Sequence, residues 1–163
     1  MNKIKILIPI YNDWKSAFKL LEDIDLLVSD LKHEFSVIIV NDCSTEERPI
    51  NDFNFNNLMS IKILNMKKNK GHARCNASGL RYITKHEDYD YIIPMDGDGE
   101  DRVEEITLLI DRANDYPDKV ITANRVKRSE GFFFKLCYLL HKYLTLVFTG
   151  QSIKLSLIHS GRR

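Results

Sequence analysis

No stretch of this chain reaches about 18 consecutive uncharged apolar residues, so a plain membrane-spanning helix is not to be expected. The opening residues, MNKIKILIPIYND, lack the long apolar core of a secretion signal. Cysteine is scarce: Cys43, Cys75 and Cys137 stand in unrelated contexts with no CxxC, which reads as reduced thiols in a cytoplasmic protein. No charge sign dominates. Lys and Arg total 24 against 23 Asp and Glu, for a net charge of +1, so no global field argues for a nucleic-acid partner. A GxxxxGK[ST] phosphate loop is missing, and no GxGxxG follows the first apolar run, which counts against a dinucleotide cofactor. Internal repeats, linkers and low-complexity tracts are missing too.

What remains is an ordinary globular composition. The chain has 163 residues, 44% apolar and 29% charged, enough for one domain with a buried core. Apolar runs alternate with amphipathic ones. KIKILIPI (3–10), FSVIIVN (35–41), SIKILN (60–65), YDYIIPM (89–95) and KVITAN (119–124) read as strands. A helix is expected after Asp13, which can cap it, with Phe18, Leu21, Ile24, Leu27, Val28 and Leu31 on its apolar face. A second is expected from about His72 to His86. A third, capped by Asp101, carries Ile106, Leu109, Ile110 and Ala113. This order predicts an α/β layered fold with a mostly parallel sheet, whose Ile/Val-rich strands are covered on both faces.

Three polar clusters then follow strand ends: Pro9, Tyr11, Asn12 and Asp13 after the first, Asn41, Asp42 and Ser44 after the second, Asp96 and Asp98 after the fourth. In a parallel sheet these ends share one edge, where ligands bind. DGDGED (96–101) is either a solvated acidic turn or a site for a hard cation. Asp96 and Asp98 suit Mg²⁺ or Mn²⁺, with the shell completed by water and phosphate, and Gly97 and Gly99 let the loop turn tightly. Asp42 either caps its loop or accepts a hydrogen bond from a nucleobase; Tyr11 either packs or stacks on one. In NKGHARCNASGL (69–80), Lys70 and Gly71 precede a helix start able to attract an anion. The small residues Ala73, Ala77 and Ser78 suit close packing.

Together IPIYND, VNDCSTEE, NKGHARCNASGL and MDGDGEDRVEEI resemble, in order and spacing, the motifs of the family-2 glycosyltransferases from about residue 3 to residue 150. DGDGED and the helix expected downstream look nearest to the polyprenyl-phosphate sugar transferases of the dolichyl-phosphate-mannose type. The resemblance implies a GT-A fold, Rossmann-like, and a metal-dependent transfer from a nucleotide-diphosphate sugar to a lipid-phosphate or glycan acceptor. By position it implies Pro9, Tyr11 and Asp13 at the nucleoside, Asp42 at the base, Gly71 by the nucleotide, and Asp96 and Asp98 on the metal. Asp98 and Arg125 become the residues acting on the diphosphate, with Arg128 a second candidate. Asn41, Cys43, Glu46, Glu100 and Val103 depart from the family pattern, and TGQSIKLSLIHSGRR does not resemble the family's continuation, which implies C-terminal truncation.

The organisation expected is a nucleotide-sugar domain over 1–130, an amphipathic helix over 131–150 and an atypical tail over 151–163. On a helical wheel, residues 132–148 leave only a narrow polar stripe of Lys135, His141, Lys142 and Thr145. Such a helix either lies at a membrane surface or is covered by other protein. A lipid phosphate is the preferred acceptor, since it needs no catalytic base. The alternative function is a truncated, non-catalytic nucleotide-binding or interaction module.

Overall fold

The computed structural model describes residues 1–49, 55–99 and 101–122. Its elements are β1 (Lys3–Ile10), α1 (Trp14–Val28), β2 (Glu34–Asn41), β3 (Leu58–Asn65), α2 (His72–His86), β4 (Tyr91–Pro94) and α3 (Glu105–Asp115). The strands form one parallel sheet in the order β3-β2-β1-β4. β1 is central and pairs Ile6 with both Val37 and Ile93.

The strand period of two sorts β1 and β2 onto two faces. Ile4, Ile6, Ile8 and Ile10, with Phe35, Val37 and Ile39, pack against Trp14, Ala17, Leu21 and Ile24 of α1 and Ile106 and Ile110 of α3. Leu7, Ile38 and Val40 point the other way, onto Cys75 and Ile83 of α2. Both faces are therefore covered, as the unbroken apolar runs required. Each fully buried Ile contributes about 1.5–3 kcal/mol of transfer free energy. α2 lies unusually close to the sheet. A Cβ on Gly79 would stand 2.3 Å from Leu7 Cδ1 and 2.8 Å from Val40 Cγ2. The small residue that permits this approach is Gly79; Ala73 and Ala77 are exposed and take no part.

Asp13 caps α1 as expected, its Oδ1 accepting the Ser16 N–H at 3.3 Å. Asp101 does not cap α3, which starts at Glu105 without a side-chain cap. Its Oδ2 accepts instead the N–H of Asp96 at 2.8 Å, closing the acidic loop on itself. The expected strand at 119–124 is not seen over residues 119–122, the part within the described residues. Val120 there is 91% exposed, and no described strand pairs with the free edge of β4. Strand propensity alone does not make a strand.

At the sheet's other side, Glu87 ends α2 with its side chain 8% exposed, held by Lys62 Nζ at 2.6 Å and Lys5 Nζ at 3.4 Å. A carboxylate at a helix C-terminus opposes the dipole, so the two ammonium groups are needed there. The hydrogen bond from Lys62 outweighs burial and, with the charge of Lys5, holds the Glu87 carboxyl below the ordinary carboxylate range. Because its folded value is lowered, its contribution is present above the unfolded value and lost as pH falls through the folded one. Glu87→Gln should cost about 1–3 kcal/mol at neutral pH. In urea titrations the gap between the two proteins should narrow on acidification below the ordinary glutamate range.

Candidate functional site

The three polar clusters meet at the carboxyl edge of the sheet, and the backbone shows how. β1 and β2 run in parallel to their last pair, Ile10 with Asn41. One residue on, the N–H of Asp42 donates to the Ile10 carbonyl at 2.9 Å. Asn12, with φ of 58°, turns its side chain onto the second loop. Its Oδ1 accepts the N–H groups of Thr45 at 2.7 Å and Glu46 at 3.2 Å, while its own N–H donates to Ser44 Oγ at 2.9 Å. Asn41 Oδ1 takes the Ser44 N–H at 2.9 Å, and Asn41 Nδ2 donates to Asn65 Oδ1 at 2.9 Å. The second loop is thus stapled to the first and to β3.

Asp42 is 3% exposed. Its Oδ1 accepts the Lys70 N–H at 2.8 Å and its Oδ2 the Gly71 N–H at 2.7 Å. Gly71 has φ of 83° and ψ of 159°, a region open essentially to glycine, so the chain turns sharply here into α2. The turn delivers His72, whose Nε2 lies 3.4 Å from Asp96 Oδ1. Asp96 and Asp98 approach from β4. Gly97 between them lies against β1: a Cβ would sit 3.0 Å from Ile10 Cγ2 and 3.1 Å from the Pro9 carbonyl oxygen. Its requirement is for small size, whereas Gly99, with φ of 77°, meets the expectation of a tight turn.

Pro9, Ile10, Tyr11, Asp13, His72, Asp96, Gly97 and Asp98 line one cavity of about 210 Å³. Tyr11 is 48% exposed. Asp98 also borders a second crevice of about 470 Å³ between α1 and the loop before α3, which adds Lys19, Asp23, Arg102 and Glu104. No three His, Cys, Asp or Glu side chains converge as a metal cage among the described residues. The donor set is two exposed or half-exposed carboxylates on one cavity. That suits a hard cation bound largely through water and phosphate, and does not suit zinc.

The model of the family described as glycosyl transferase family 2 matches residues 5–155. The chain belongs to that family. It is 28% identical over 158 residues to an undecaprenyl-phosphate 4-deoxy-4-formamido-L-arabinose transferase of Proteus mirabilis, covering 94% of this chain and 46% of that protein. It is 25% identical over 137 residues to the enzyme of the same name from Klebsiella pneumoniae, covering 83% and 40%. The chain therefore spans less than half the length of these relatives. Among solved structures it resembles S. aureus TarS 1–349, with a TM-score of 0.55 and 22% identity over 78% of this chain and 39% of that one. The same protein in complex with UDP-GlcNAc matches with a TM-score of 0.55 and 22% identity, over 78% and 37%. The parallel sheet with flanking helices is the GT-A glycosyltransferase fold expected from the motifs.

For this family-2 glycosyltransferase chain, the structure brings Pro9, Tyr11, Asp13, Asp96 and Asp98 to one cavity. Gly71 stands immediately before His72 at its wall. Asp42 is set apart: it does not line this cavity, and each of its oxygens accepts one backbone N–H. Arg125, Arg128 and the 132–148 segment lie outside the described residues. Sequence reasoning missed His72, Asn12 as a staple and Asp101 as a loop clasp. The signal for His72 was its place directly after Gly71. Of the described cysteines, Cys75 donates from Sγ to the Val40 carbonyl at 3.1 Å. Burial, helped by the charge of Asp42, pushes its thiol up to about 11, so it is no nucleophile.

Gly97→Ala should cost about 1–3 kcal/mol, because the Pro9 carbonyl cannot yield to a methyl group. Thermal unfolding reads that loss. Chemical-shift changes in the mutant should centre on Pro9–Asp13, with little change in α3.

Proposed function

We propose that this chain forms the donor site of a glycosyltransferase that takes sugar from a nucleoside diphosphate and passes it to a polyprenyl phosphate or another membrane-associated acceptor. One observation carries the reading: Tyr11, Asp13, Asp96 and Asp98, from two loops far apart in sequence, line a single cavity at the carboxyl edge of the sheet. The names of the relatives, as undecaprenyl-phosphate sugar transferases, support the acceptor class, and the UDP-GlcNAc complex of a structural neighbour supports the donor class.

In this reading the Tyr11 ring offers a stacking face to the base, and Pro9 shapes the floor beneath it. Asp13 both caps α1 and borders the nucleoside. Asp42 contributes to nucleotide binding through the turn it holds, Lys70 to Gly71. Asp96 and Asp98 hold a divalent ion, Mg²⁺ or Mn²⁺, which when bound offsets the charge of the departing nucleoside diphosphate. Arg125 is proposed as a second positive charge on the same phosphates. A phosphate acceptor is already a nucleophile and asks for no general base. Residues 132–148 would bring the chain to a lipid surface.

Calorimetric titration with UDP and with GDP tests the donor reading. At least one should bind in the presence of Mg²⁺ or Mn²⁺, and EDTA should abolish the binding. Asp98→Ala should weaken it tenfold or more, by ~1.4 kcal/mol at least, in a chain that still folds. Metal-independent binding, or unchanged affinity in the mutant, returns the acidic stretch to a solvated turn. Donor binding without transfer of labelled sugar to extracted lipid would favour a nucleotide-binding module.

A further inference from the structure

We propose that His72 binds the phosphate portion of the nucleotide, as a donor-site residue in its own right. The inference rests on the donor reading above and extends it to a residue outside the motif carboxylates. The cavity has an electrostatic deficit. Its described lining includes three carboxylates, Asp13, Asp96 and Asp98, and a nucleoside diphosphate is itself anionic. A divalent ion on Asp96 and Asp98 is neutralised by those two groups, so within the described lining the phosphates still call for a hydrogen-bond donor. Among the described residues lining the cavity, His72 is the one nitrogen-bearing side chain, and in either protonation state its ring has an N–H to donate.

Its position is fixed by more than the helix. The turn held by Asp42 sets where α2 begins, and Asp96 Oδ1 lies 3.4 Å from Nε2. Asn76, one turn along α2, places Nδ2 2.9 Å from the same nitrogen. The Asn76 amide therefore packs its polar end against the ring, with donor and acceptor roles set by the imidazole tautomer. The ring stands beside the first carboxylate of the pair, where the diphosphate must lie if that pair holds its metal. Its 61% exposure leaves it open to a ligand.

The test compares nucleoside, nucleoside monophosphate and nucleoside diphosphate, of uridine and of guanosine, binding to the full chain with Mg²⁺, followed by NMR titration. His72→Ala should lower diphosphate affinity about tenfold, the loss of one charge-assisted hydrogen bond. The penalty should shrink for the monophosphate and vanish for the nucleoside. His72→Gln, which keeps a donor, should recover part of the loss. The side chain is exposed, so both variants should melt with the unmutated chain. Equal penalties for all three ligands, or none, would overturn the proposal while leaving the donor reading intact. If the unmutated chain binds neither nucleotide series, the donor reading itself fails.

Discussion

The site depends on one buried carboxylate. Asp42 leaves the end of β2 and is immediately enclosed, with both oxygens on backbone N–H groups of a turn 28 and 29 residues further along the chain. Burying a carboxylate without partners is costly, and two charge-assisted bonds of about 1.5–3 kcal/mol each offset that cost. The bonds also do geometric work. Together with the link from Asp42 N–H to Ile10, they tie the end of β1, the end of β2 and the start of α2 into one rigid corner. α2 cannot then slide along the sheet, and Gly79 against Leu7 sets how closely it lies. The position of His72 beside Asp96 follows from those two constraints.

A second economy concerns the acidic loop. Four carboxylates in six residues repel, yet one of them, Asp101, is turned inward to accept the Asp96 N–H. That bond fixes the loop's curvature and takes one negative charge partly out of the repulsion. Gly97 lets the loop lie on the Pro9 carbonyl, so Asp96 and Asp98 border the cavity that Tyr11 and Asp13 enter from β1. The fold delivers the groups at this edge by backbone contacts rather than by long flexible side chains.

Much of this was legible from residue order. β1 matched the expected run of 3–10, and α2 the expected His72 to His86, because unbroken apolar runs and helical periodicity admit few other structures. Asp13 was readable as a cap from its place before Trp14. What escaped was non-local. No local pattern says that Asp42 reaches Lys70 and Gly71, so a carboxylate after a strand looked available to a ligand. Asp101 stood where a helix cap belongs, but its nearest unmet donor was the Asp96 N–H behind it. Gly97 and Gly99 look alike in sequence, yet one answers to space and the other to φ. Cys43, one of the departures from the family pattern, takes φ of 61°, a left-handed backbone that no local pattern around it announces. KVIT had strand propensity, but propensity alone does not decide whether a segment pairs.

Amide hydrogen exchange at Lys70 and Gly71 tests the central claim most directly. Both lie in a turn outside any helix or strand, so without a partner they should exchange as fast as exposed loop amides. With Asp42 accepting from each, the unmutated chain should protect both well above neighbouring loop positions. Asp42→Ala should release Lys70, and should leave Gly71 only its longer, exposed bond to Asn69 Oδ1 at 3.1 Å, while the amides of β1 stay protected. Fast exchange at both positions in the unmutated chain, or protection at Lys70 that survives Asp42→Ala, would contradict the account.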